Sequence, residues 1–324
     1  MANKPKVEGL LIDNTYRLDS YMNGGAFGLL YKGTNIYTKE WLAIKLEHKD
    51  IESPQLPLEY RFYMLLGSQL GIPNIYYFGP CNVYHALVME LLDPSLDKMF
   101  ALCDNKFSVN TTARIATQIL KIIEYIHNKN IIFRDIKPEN FLLGRTGTPN
   151  AKVIYIIDFG LAKEYIDINT KQHIPMKTGK SLIGTPRYMS CWSHFGLEQS
   201  RRDDMESIGF MLIYFIKGRL PWQRLKGHYL HRLQQIANLK KQITIETLCT
   251  HIPKVFVQYM KHIRQLAFMD TPNYDMLHKY FNQLITDNYA YDWDYKKRDI
   301  SLQTTSSGIT IQTVGLMSSN LNKN

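Results

Sequence analysis

The stretch Asn130–Arg145, "NIIFRDIKPENFLLGR", sets five polar or charged residues between two apolar runs. Ile131-Ile132-Phe133 precedes them and Phe141-Leu142-Leu143 follows. Between lie Arg134, Asp135, Lys137, Glu139 and Asn140. A solvated loop joining two core elements would read this way. So would a catalytic loop held rigid by its apolar flanks. Asp135 is suited to take a proton from an attacking hydroxyl, and Lys137 to stabilise a transferring phosphoryl group. Asn140 offers a carbonyl oxygen, the donor that a hard cation such as Mg²⁺ prefers.

Working outward, "VIYIIDFGLAKEY" places Asp158-Phe159-Gly160 after a strand-like run, with Asp158 as a second oxygen ligand. Upstream, "NGGAFG" (Asn23–Gly28) lies between two strand-like segments. Glycines let backbone N–H groups approach phosphates closely. Taken alone, a glycine-rich hairpin turn is the better explanation. "LAIK" ends in Lys45, a strand lysine placed to contact α- and β-phosphates. Glu59, in "PLEYRFYMLL", is placed to pair with it. Each piece by itself has an ordinary structural explanation. The glycine loop, strand lysine, helix glutamate, "RDIKPEN" and "DFG" nevertheless occur in the order and spacing of the protein-kinase signature. That decides the opening stretch in favour of a catalytic loop.

Composition sets the bounds. The chain has 324 residues, 45% hydrophobic and 21% charged, enough for one large or two-lobed globular unit. Cys81, Cys103, Cys191 and Cys249 are scattered without metal-ligand spacing, which predicts reduced thiols and a cytoplasmic protein. The N-terminus has no apolar signal core, and Ala2 stands where myristoylation needs glycine. The longest apolar run, "IGFMLIYFI" (Ile208–Ile216), is too short to span a bilayer and predicts a buried helix. A net charge of +10 points to an anionic partner. No nucleic-acid-binding motif accompanies it, so protein anions are the expectation and nucleic acid is not.

Strand-type residues dominate the first ninety positions, interrupted by the helical spacing of "PLEYRFYMLLGSQL". "TTARIATQILKIIEYIHNKN" then reads as a long amphipathic helix with Ile115, Ile119, Ile122, Ile123 and Ile126 on one face. Further helices follow in "DDMESIGFMLIYFIKG", "HYLHRLQQIANLK", "KVFVQYMKHIRQLAF" and "YDMLHKYFNQLIT". The fold class expected is α+β, the two-lobed protein-kinase fold. A small β-rich lobe with one regulatory helix occupies 16–92, and a larger helical lobe occupies 93–294. A Ser/Thr-rich tail, 295–324, is expected to be flexible. Its Thr304, Thr305, Ser306, Ser307, Ser318 and Ser319 are expected to be able to reach the active site as phosphorylated pseudosubstrates.

"GTPRYMS" (Gly184–Ser190) matches the end of a kinase activation segment, but Ser190-Cys191-Trp192 fills the slot usually held by Ala-Pro-Glu. That departure, with "KLE", "MELLDPSL", "YIIDFGLAKEY", "HIP", "SHFGLEQSRRDDMESIGFMLIYFIKGRLPWQRLK" and "TPNYDML", strongly resembles the casein kinase 1 family from about Tyr16 to Trp293. "PLEYRFYMLLG", "IYYFGPC", "FLLGR" and "AKEYIDINTKQHIP" look most like its gamma subgroup. The resemblance implies a monomeric Ser/Thr kinase that uses ATP and Mg²⁺ and works without activation-loop phosphorylation. It implies a preference for acidic or already phosphorylated protein substrates. By the same resemblance Gly25, Phe27, Gly28, Lys45, Glu59, Glu90 and Leu91 bind the nucleotide, and Asn140 and Asp158 hold the metal. Arg187 and Arg232 form one substrate-phosphate site, and Arg134, Lys163 and Lys180 another; Arg232 matches only with a one-residue gap.

Several positions depart from the family. Asn23 replaces a loop glycine, Asp93 a glycine and Lys98 an acid. Phe133 replaces His or Tyr, Cys191-Trp192 replaces Ile-Asn, and Arg224 replaces a glycine. The chain ends without the cysteine-rich, basic tail of gamma-like relatives, so membrane anchoring is not expected. A catalytically weak pseudokinase that acts as a scaffold is the alternative these departures suggest. The intact Lys45, Glu59, Asp135, Lys137, Asn140 and Asp158 favour the enzyme.

Overall fold

The computed structural model describes residues 7–25, 28–286 and 290–296. Phe27 and the Ser/Thr positions of the tail lie outside the described residues.

Six antiparallel strands build the first lobe: β1 (Leu11–Ile12), β2 (Tyr16–Gly25), β3 (Gly28–Asn35), β4 (Trp41–His48), β5 (Ile75–Cys81) and β6 (Tyr84–Glu90). Their order across the sheet is β1-β2-β3-β4-β6-β5. Alternate aliphatic and aromatic residues point to one face, as a period of two requires. Leu18, Tyr31, Leu42, Ile44, Leu46, Ala86 and Val88 close a core on that side. Between β4 and β5 runs α1 (Leu56–Leu66), which buries Leu56, Glu59, Phe62, Tyr63 and Leu66. The predicted helix extended to Leu70; it ends at Leu66 because Gly67 turns to φ 67°. The first turn of α1 has no side-chain cap of its own. Instead the buried Glu47 carboxylate accepts from the Gln55 N–H at 2.8 Å and the Leu56 N–H at 3.1 Å. The "KLE" run therefore fixes the helix that carries Glu59 to the strand that carries Lys45.

The second lobe is helical. Its elements include α2 (Leu96–Leu102) and α3 (Val109–Asn128). The five isoleucines that mark the apolar face of α3 are all buried. Each such side chain contributes roughly 1.5–3 kcal/mol by leaving water. Ser108 caps α3 by accepting from the Thr111 N–H at 3.1 Å.

Two short antiparallel pairs follow: β7 (Ile131–Ile132) and β8 (Phe141–Leu143) pair with β10 (Lys163–Glu164) and β9 (Ile154–Ile156) respectively. The apolar flanks of the opening stretch are thus strands of two different ribbons, and the polar residues between them are pinned at both ends.

Helix α4 (Cys191–His194) precedes α5 (Arg201–Lys217), whose Arg202–Ile216 are all buried. Around it stand α6 (Tyr229–Gln242), α7 (Ile245–Leu248), α8 (Lys254–Gln265) and α9 (Tyr274–Asn282). Among the described residues no helix is long and apolar enough to cross a membrane.

Candidate functional site

The candidate catalytic loop is held from beneath by one carboxylate. Asp204, in the first turn of α5 and buried, accepts from the Phe133 N–H at 2.7 Å and the Arg134 N–H at 2.8 Å. His127 Nε2 lies 3.0 Å from the same carboxylate, and its Nδ1 lies 2.6 Å from the Tyr274 hydroxyl. This grip keeps Arg134 at φ 68°, a left-handed conformation uncommon for a residue with a side chain. The turn that follows presents Asp135 to the cleft.

Asp135 is 6% exposed, and its two carboxylate oxygens are separately engaged. Oδ2 contacts Lys137 Nζ at 2.5 Å, and Oδ1 accepts from Thr185 Oγ1 at 2.9 Å. Asn140 donates through Nδ2 to the Asp135 carbonyl oxygen at 3.0 Å. That orientation leaves Asn140 Oδ1 as its remaining polar atom. Thr185 can come this close because Gly184 stands at φ 106°, where a Cβ would sit 2.6 Å from the Arg134 carbonyl oxygen.

Across the cleft, Lys45 Nζ lies 2.6 Å from Glu59 Oε2 and 3.2 Å from Asp158 Oδ1. Burial alone would push Lys45 down; the carboxylates of Glu59 and Asp158 outweigh it and hold the ammonium above its ordinary value. Burial pushes Glu59 the other way, up, against the pull of Lys45. The 2.6 Å contact makes the ion pair, and so the direction of Lys45, the governing one. Asp158 is itself left-handed, φ 72°, and its N–H donates to the Tyr63 hydroxyl at 3.2 Å. Behind it Phe159 is buried edge-on to Tyr63 and to Phe133. Phe133, where the family has His or Tyr, makes an edge-on ring contact beneath the Asp-Phe-Gly turn.

Gly25 and Gly28 face each other as the last paired residues of the β2–β3 ribbon. A Cβ on Gly28 would meet the Leu46 carbonyl oxygen at 2.2 Å. Glu90 ends β6 and accepts from the Asn74 N–H and Nδ2, each at 3.2 Å. Leu91 packs against the main core. Lys98 is exposed. Asp93 accepts from the Thr146 N–H at 2.9 Å and from its hydroxyl, so this departure ties the link after β6 to the loop after β8.

The basic positions fall into two groups. Lys163 and Lys180 converge on the buried Glu198 carboxylate at 2.9 and 3.4 Å. Glu198 also contributes to the field on Arg134, whose Nε donates to the Leu161 carbonyl at 2.6 Å. Arg187 packs over the rings of Tyr188 and Tyr214, 5.7 and 5.4 Å from their centres. Arg232, exposed on α6, lines a groove of about 200 Å³ together with Arg224, Trp222 and Pro186.

Sequence reading missed Glu47, Asp204, Thr185 and Glu198. All four fall within motifs quoted above, "KLE", "GTPRYMS" and "SHFGLEQSRRDD", but only as markers of resemblance, with no role attached.

Residues 16–292 match the protein kinase domain family. Casein kinase I homolog 2 of Schizosaccharomyces pombe is 45% identical over 284 residues, covering 86% of this chain and 65% of that relative. Homologs 1 and 3 of the same organism are each 44% identical, covering 86% of this chain and 64% and 65% of theirs. The matched region thus spans a little under two thirds of each relative's own length. With the kinase domain matched over most of its length and these relatives so similar along it, the chain belongs to the casein kinase I family of protein kinases.

Proposed function

We propose that the chain is a Ser/Thr protein kinase that transfers the γ-phosphate of ATP to acidic or pre-phosphorylated protein substrates. The observation that carries this reading is the arrangement at Asp135. One carboxylate oxygen meets Lys137 and the other meets Thr185, on a loop whose backbone Asp204 fixes.

In this reading Lys45, oriented by Glu59, meets the α- and β-phosphates. Glu90 and Leu91 meet the adenine, and Gly25, Phe27 and Gly28 cover the phosphates. The substrate hydroxyl forms a new O–P bond as the bond from the γ-phosphorus to the ADP oxygen breaks. Asp135 takes the hydroxyl proton, and Lys137 stabilises charge on the moving group. The donor set suits Mg²⁺: Asn140 Oδ1 and the Asp158 carboxylate are oxygen donors, and a site of this kind draws its other ligands from phosphate and water. Bound there, the ion supplies neutralising charge on the phosphate oxygens. A substrate phosphate carries about −1.5 to −2 charges and accepts paired bonds from arginine. Arg187 and Arg232 on one side, and Arg134, Lys163 and Lys180 on the other, are the groups proposed to receive it. A monomer in the cytoplasm, with lobes divided near 92–93, completes the reading.

Radiolabelled ATP, Mg²⁺ and casein test it, with Asp135→Asn as the control. Label transferred to serine or threonine by the unmutated chain, and lost in the variant, is the expected result. No transfer from the unmutated chain would sink the proposal.

A further inference from the structure

The end of the activation segment has lost the carboxylate that a kinase ordinarily places there, as Ser190-Cys191-Trp192 shows. The segment is nevertheless buried at Tyr188–Ser190. Ser190 and Cys191 are held by carboxylates of α5, the Ser190 hydroxyl donating to Asp203 and the Cys191 N–H to Glu206, while the turn before them is anchored by donors to its backbone carbonyls. Lys240, on α6, is 0% exposed and sends Nζ to the Pro186 carbonyl at 2.8 Å and the Met189 carbonyl at 2.6 Å. Its remaining polar contact is His194 Nε2 at 3.1 Å. Trp222 donates from Nε1 to the Arg187 carbonyl at 2.8 Å. Three carbonyls of one short turn are thereby taken by two side chains from the second lobe.

Lys240 has no carboxylate partner among the described residues. Glu206 pairs with Arg264 at 2.9 Å and accepts from the Cys191 N–H at 2.8 Å. Arg264 in turn donates to the Lys240 carbonyl at 3.2 Å. The rings of Phe210 and Trp222 each lie 4.9 Å from the ammonium. A lysine this deep, without a counter-ion, is costly unless its donors are fully used. Here they are used on the segment that carries Thr185 and Arg187.

We propose that Lys240 is a positioning residue for the protein substrate: with Trp222 it holds the 186–189 turn by its carbonyls, so that Thr185 stays beside Asp135 and Arg187 stays over Tyr188 and Tyr214. This rests on the kinase reading of the Asp135 site. The polarity of the usual anchor is inverted: a lysine amine donates to carbonyls where a carboxylate would accept. The nucleotide side of the cleft makes no use of this grip, so the effect is confined to the substrate side.

The test uses the full chain with Lys240→Met, which keeps length and apolar contact but removes the donors, and with Trp222→Phe. An unphosphorylated acidic peptide is the substrate. Lys240→Met should raise the peptide KM about tenfold while the KM for ATP stays within about twofold. Hydrogen exchange at the Tyr188 and Met189 amides, both bonded to the Thr185 carbonyl at 2.9 Å, should quicken about tenfold while that of α3 stays unchanged. Trp222→Phe should move both readouts the same way by less. A lysine that only packs would lower the melting temperature and leave the peptide KM alone. Unchanged peptide KM in every variant that folds overturns the proposal, as does quickened exchange spread evenly over the chain. If the unmutated chain transfers no phosphate, the kinase reading has failed, and local exchange alone decides whether Lys240 and Trp222 hold the turn.

Discussion

Two loops meet at Asp135, and they are held by opposite means. The catalytic loop is gripped through its N–H groups by a carboxylate, Asp204 of α5. The activation-segment turn is gripped through its carbonyls by an ammonium and an indole, Lys240 of α6 and Trp222. In each case the backbone groups left without secondary-structure partners decide the sign of the side chain sent to meet them. The difference also separates tasks. The carboxylate grip fixes the loop of Asp135, the group proposed to accept the proton. The lysine grip fixes the turn proposed to carry the substrate, and so belongs to the recognition side of the proposal.

The largest expected effect falls on the first loop. Asp135→Asn should lower kcat by about 10²–10⁴-fold with ATP binding nearly intact, because only the proton acceptor is lost. Steady-state kinetics with a nucleotide-binding titration checks it; near-normal kcat would break the distinction between the loops at its root.

Asp204→Ala should follow. It leaves two buried N–H groups and His127 without their acceptor, at a cost of roughly 3 kcal/mol or more in stability. Chemical denaturation reads this directly. A loss under about 1 kcal/mol would mean that β7 and β8 hold the loop without Asp204.

On the second loop, Arg187→Ala should reduce the kcat/KM advantage of a phosphoserine-primed peptide over its unprimed form by about ten- to a hundred-fold. Raising salt should narrow the same gap, since a partly exposed contact is screened. If the unmutated chain treats both peptides equally, the basic platform has no such role.

The smallest effect sharpens the ammonium side. Burial pushes Lys240 down to about 7 from its ordinary 10.5. Between those values the unfolded chain binds more protons than the folded one, so stability from this group rises with pH across that window. The slope is about 1.4 kcal/mol per pH unit where the difference is one whole proton. Below about pH 7 the full cost of burying the charge is present. Denaturation of the unmutated chain and Lys240→Met at pH 7, 8 and 9 should show the variant with the flatter dependence; parallel slopes would place the titration elsewhere.

What the sequence determined by itself was local. Strand alternation, the isoleucine face of α3 and the buried run in α5 are set by neighbours within a few turns, and so they are written in periodicity. The pieces assigned to a nucleotide and catalytic site could be picked out because such chemistry restricts each to one residue type in a fixed order along the chain. Helix α2 and the short α4 and α7 were not read, because a turn or two of helix carries too little periodicity to register. The grips on the two loops were not legible either. Asp204 meets a backbone N–H 70 positions away, and Lys240 meets a carbonyl 51 positions away. Every residue but proline offers the same N–H, and every residue the same carbonyl, so a side chain bonded to one leaves no complementary side chain in the sequence to reveal it. Only folding, by bringing α5 and α6 beneath the loops, decided which buried charge would serve which backbone.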